Sequence, residues 1–64
     1  MSNYWHAIAR LDDGTEFEFN RAYTADGNYA VECEQQYRVE CELLARASGT
    51  GKEVVFYSVD FVSD

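Results

Sequence analysis

Residues 4–11 (YWHAIARL) alternate between apolar and polar positions, and residues 15–20 (TEFEFN) alternate more strictly still. A period of two is that of a strand with one face buried. Between the two runs lie Asp12, Asp13 and Gly14, a short loop in which the Asp residues suit a type I turn and Gly14 supplies a positive φ. Setting Leu11 opposite Thr15 brings Ala9 against Phe17 and Ala7 against Phe19 on one face, with Trp5 beyond them. The other face then carries Arg10 across from Glu16 and Ile8 across from Glu18.

Residues 20–28 hold turn formers with no sustained period and lead into a helix capped by Asp26 or Asn28. Residues 29–47 are rich in Glu, Gln, Arg, Leu and Ala, all good helix formers, until Ser48-Gly49-Thr50-Gly51 stops them. Residues 53–62 (EVVFYSVDFV) are β-branched and aromatic and predict a strand with Val55, Tyr57, Val59 and Phe61 on one face. The order is ββαβ. The simplest assembly is an α+β fold: a three-stranded antiparallel sheet in the order 2-1-3, with one helix on the face of Trp5, Ala7 and Ala9. Residues 1–64 form one small domain, which buries only about 60% of the surface its unfolded chain exposes.

The helix contains Val-Glu-Cys-Glu twice, at residues 31–34 and 39–42. Eight residues turn a helix by about 80° beyond whole turns, so the copies are not equivalent. A buried stripe centred on Tyr37 takes in Ala30, Cys33, Cys41, Leu44 and Ser48. On this reading both cysteines are small buried residues, with Glu34 and Glu40 on the shoulders of the stripe and Glu32 and Glu42 further out. About 12 Å of helix axis separates the two cysteines, whereas a disulfide needs Cα atoms within about 7 Å. His6 is the one histidine and falls on the sheet face away from the helix, so a zinc site lacks ligands. The expectation is no metal, no cofactor and no catalytic residue, because no hydroxyl or thiol is set beside a base. Gly49-Thr50-Gly51-Lys52 lacks the spacing of a phosphate loop and precedes a strand, and Glu34/Arg38 and Glu42/Arg46 are helix pairs at i, i+4.

Twelve acidic residues against five basic ones give a formal charge of −7. That balance opposes direct binding to nucleic acid or to anionic membranes, and favours a basic partner or simple solubility. Met1 reads as the true start. Two cysteines, with no signal peptide or spanning apolar run, suit a reducing cytoplasmic setting.

Two surfaces remain. The uncovered sheet face is expected to carry Ile8, Val54 and Phe56 as an apolar middle suited to a homodimer or partner contact. The hairpin tip, the start of the last strand and the helix C-terminal end gather Asp12, Asp13, Glu16 and Glu53, with Glu42 a further candidate; Glu18 projects from the same face of the second strand as Glu16, completing an array that could stand in for phosphates in a basic channel. In size, acidity and lack of catalytic residues the chain resembles, in general type, the small phage and mobile-element inhibitors of bacterial defence nucleases, anti-CRISPR proteins included. The likeness covers composition and fold scale and transfers no residue. It implies a noncatalytic inhibitor, acting in the host cytoplasm, that blocks a basic, nucleic-acid-handling protein. A reading from another class is a self-associating module that uses the uncovered sheet face.

Overall fold

The computed structural model describes residues 2–63. Strands β1 (Asn3–Leu11) and β2 (Glu16–Ala22), helix α1 (Tyr29–Ser48) and strand β3 (Val54–Ser63) form an α+β fold. The antiparallel sheet has the order β2-β1-β3. The hairpin register is the one its alternation predicts: Ala9 opposes Phe17, Ala7 opposes Phe19, Ile8 opposes Glu18 and Arg10 opposes Glu16. Gly14 takes φ 87° at the tip. Leu11 N–H donates to Thr15 O at 2.8 Å, and Thr15 N–H donates to Asp13 Oδ1 at 2.9 Å.

Of the two predicted caps, Asn28 is the one used, its side chain accepting from Val31 N–H. Asp26 instead takes a left-handed turn, φ 53°, ahead of Gly27, a conformation that a short carboxamide or carboxylate side chain tolerates better than most. The helix ends at Ser48.

Central strand β1 supplies much of the core, with Trp5, Ala7, Ala9 and Leu11 buried beneath Val39, Leu43 and Ala47 of the helix and beside Val59 of β3. Ala7 and Ala9 have no exposed surface, and their small side chains let the helix lie close. The phase of that helix differs from the expected one. Leu43, at the centre of the buried stripe, lies about 120° around from Tyr37. Cys33, Cys41, Tyr37 and Leu44 are exposed. Small aliphatic side chains fit the narrow gap above Ala7 and Ala9, whereas a phenol ring would hold the helix off the sheet.

Strand β3 also departs from its expected pattern. The register shifts between Arg10 and Leu11, so that Arg10 opposes Phe56 but Leu11 opposes Val54. Val54 therefore pairs with a core residue and is half-buried, while Val55 is the exposed extra residue of the irregularity. Val54 leaves the apolar group assigned to the uncovered face.

Candidate functional site

The acidic tip assembles, but with a cation inside it. Glu53 O accepts from Asp12 N–H at 2.9 Å, and Lys52 pairs with Asp13. Lys52 and the hydrogen bonds from Thr15 hold the Asp13 carboxyl well below its ordinary range. Asp12 and Glu53 are exposed beside this pair. Glu16 and Glu18 face the same side of the sheet, and each is engaged from β1. Arg10 bonds Glu16 at 2.8 Å, and His6 Nε2 lies 2.7 Å from Glu18 Oε2. Ile8 is half-buried between these pairs, with the half-exposed Phe56 as its diagonal neighbour. The uncovered face is thus laced with charge pairs around a small apolar centre.

Each of the five Lys and Arg residues is in an ion pair: Arg10 with Glu16, Arg21 and Arg46 with Glu42, Arg38 with Glu34, and Lys52 with Asp13. Asp12, Asp26, Glu32, Glu40, Glu53 and Asp60 have no such cation among the described residues. The excess negative charge is therefore carried by side chains with no cation of their own, of which Glu32 accepts from Tyr23 OH and Asp60 from Ser58 Oγ.

The two long seams between helix and sheet differ. On the β2 side Arg21 donates from both Nε and Nη2 to Glu42, and Arg46 reaches Glu42 at 3.1 Å. The guanidinium carbons of Arg21 and Arg46 each lie 4.5 Å from the Phe19 ring centre, a distance suited to cation–π attraction. Nearer the helix start, Tyr23 OH donates to Glu32 at 2.6 Å, and Trp5 Nε1 donates to Gln35 at 3.2 Å. These contacts close that seam.

The β3 seam stays open. Trp5, Glu32, Cys33, Gln36, Val59 and Phe61 line a groove of about 290 Å³ together with Asp60. Helical spacing continues the same flank through Tyr37 and Leu44, and β3 answers with Val55, Tyr57 and Phe61. Tyr37 is 67% exposed, Tyr57 45% and Phe61 46%, so aromatic surface concentrates here more than on the uncovered sheet face. The sequence signal for it is the Tyr37, Cys33 and Leu44 stripe, which periodicity detects but which belongs to the flank and not to the core. Tyr29 and Tyr37 stand four residues ahead of Cys33 and Cys41, and the neighbouring thiols push both phenol pKa values up. The repeated unit therefore extends to the tyrosines and presents two Tyr–Cys pairs to solvent.

Among the described residues no group of three His, Cys, Asp or Glu side chains converges as a metal site requires. No helix is long and apolar enough to cross a membrane. No protein-family model, curated protein or solved structure matches this chain at a significant level.

Proposed function

We propose that this chain is a noncatalytic binding protein that presents free carboxylates to a basic, nucleic-acid-handling protein and so blocks that protein's access to DNA or RNA. Phage or mobile-element inhibitors of defence nucleases, anti-CRISPR proteins among them, are the class that fits a small acidic domain of this kind. The observation that supports the reading is the complete pairing of Lys and Arg within the fold. With its cations engaged, the surface has little to offer a phosphate backbone and much to offer the lysines and arginines that ordinarily hold one. Asp12 and Glu53 at the tip, Asp26 in the turn before the helix and Glu40 on the helix flank are the carboxylates available for that role.

Self-association through the uncovered sheet face draws on Phe56 and Ile8. It has less support, because ion pairs surround those residues and two copies of a −7 chain repel one another.

The deciding measurement is competition with DNA for a basic defence nuclease, at low and at raised salt. The wild-type chain is expected to displace DNA, with an affinity that falls steeply as salt is added. Failure to displace DNA from any of a panel of such nucleases overturns the reading.

A further inference from the structure

The hydrogen-bond pattern of the sheet determines which backbone groups remain open at the β3 edge. Leu11 turns its N–H and C=O toward the hairpin, donating to Thr15 O and accepting from Gly14 N–H. Successive residues of a central antiparallel strand direct their backbone groups alternately to either neighbour. Arg10, Ile8 and His6 therefore address β3, and their partners Phe56, Ser58 and Asp60 answer them. Tyr57, Val59 and Phe61 direct theirs to the free edge. In keeping with this, the Val59 carbonyl is reached by a side chain, Gln36 Nε2, at 3.1 Å.

Edge strands are ordinarily guarded by Lys, by Pro or by brevity. β3 is ten residues long, has neither Lys nor Pro, and carries one charge, Asp60. On its helix side Tyr57 and Phe61 keep exposed ring surface, and Phe61 packs edge-on against Trp5 and Tyr23. The carboxylates nearby, Glu32, Glu40 and Asp60, have no Lys or Arg partner, although Glu32 accepts from Tyr23 OH and Asp60 from Ser58 Oγ. These features define complementary chemistry for an added strand: backbone groups for its ladder, with the Val59 carbonyl shared with Gln36, apolar surface on the helix side for every second side chain with Glu32 and Glu40 above it, and Asp60 on the other face for the residues between.

We infer that the β3 edge and its groove are a docking site for an extended segment of a basic partner protein, in which apolar residues alternate with Lys or Arg, added to the sheet as a fourth strand. The inference rests on the proposed function and gives its site of contact. Charge selects the occupant, since a second copy would bring like charge to the same edge, whereas a cationic strand is attracted.

The test titrates the full chain with a synthetic peptide of about ten residues that alternates Val or Tyr with Lys, the length of β3. Amide hydrogen exchange, read residue by residue, reports where it binds. The amides of Tyr57, Val59 and Phe61 are expected to slow, since these N–H groups gain partners. A peptide with Glu in place of Lys should not bind, and one N-methylated on alternate residues should lose the protection. Tyr57→Lys should weaken binding at least about tenfold, while Asn20→Thr on the opposite edge strand, β2, leaves it unchanged.

Equal binding by the N-methylated peptide, or protection confined to the tip around Asp12 and Glu53, overturns the docking site. The proposed function then still stands on its own competition measurement. Sedimentation of the peptide-free protein as a dimer, with the same three amides protected, would make a second copy the occupant and also overturn the inference.

Discussion

Gln36 donates its side-chain amide to the carbonyl of Val59 at 3.1 Å, and so fixes the helix to the outer side of the edge strand at one point. The opposite seam is held by several charged contacts. This difference leaves one flank of the molecule shut and the other presenting aromatic rings and unpaired backbone.

Gln36→Ala should therefore cost about 0.5–1.5 kcal/mol, the net worth of one hydrogen bond. Gln36→Glu should cost more, because a carboxylate cannot donate to the Val59 carbonyl and meets its negative end. Urea unfolding of both variants checks the order. An Ala variant as stable as wild type would mean that water replaces the amide without loss.

Arg21 and Arg46 share both the Phe19 ring and the Glu42 carboxylate. Either Arg→Ala change should cost up to about 1 kcal/mol, since the pairs are partly exposed. The double variant should depart from the sum of the singles, as partners in one network do. Strict additivity in a double-mutant cycle would separate the two contacts.

The sheet was legible in the sequence because strict alternation leaves one register in which Ala7, Ala9, Phe17 and Phe19 share a face. The phase of the helix was not. Its sequence offers two stripes of similar apolar weight, Val39-Leu43-Ala47 and Cys33-Tyr37-Leu44, and periodicity alone cannot rank them. Contacts distant in sequence decide between them: Glu42 to Arg21, Gln36 to Val59 and Gln35 to Trp5. Those polar residues flank the aliphatic stripe and so mark it as the inner one. Topology brings Asp12, Asp13 and Glu53 together at the tip, but Lys52, Arg10 and His6 as partners of the acids, and Glu42 turning to Arg21 instead of the tip, depend on side-chain reach. The open seam follows from the helix phase, so it could not be read before that phase was known.

Because Cys33 and Cys41 are exposed, replacing both with Ala should change stability by no more than about 0.5 kcal/mol. Both thiols of the folded wild type should react with a thiol reagent in native buffer. Slow reaction that speeds up only on unfolding would return the cysteines to the core.

Leu43 has no exposed surface and sits at the centre of the buried stripe. Leu43→Ala should cost about 2–5 kcal/mol through lost transfer energy and the cavity left behind. For a domain this small that approaches the whole stability, so circular dichroism should show a largely unfolded chain at 37 °C, a loss of the order expected for marginal domains. Tyr37→Ala, on the exposed flank, should leave the chain folded under the same conditions. The reverse outcome would restore the stripe centred on Tyr37.

Glu42 gives the fold a defined acid sensitivity. Hydrogen bonds from Arg21, with the charges of Arg21 and Arg46, hold its pKa below the ordinary 4.5. A carboxylate whose folded pKa is depressed contributes stability that is present in full above its unfolded pKa and is lost as pH falls through the folded one. Wild type should therefore be more stable than Glu42→Gln at neutral pH, where the neutral amide leaves two guanidinium groups facing each other over Phe19. The gap should begin to close below about pH 4.5 and vanish once Glu42 is protonated in both folded and unfolded chains. Asp13 shares this direction through Lys52, so acid lowers the stability of both proteins, and only their difference isolates Glu42. Urea midpoints of the pair, measured from neutral to strongly acidic pH, give that difference. A gap that stays constant across the range would assign the contribution of Glu42 to its shape and not to its charge.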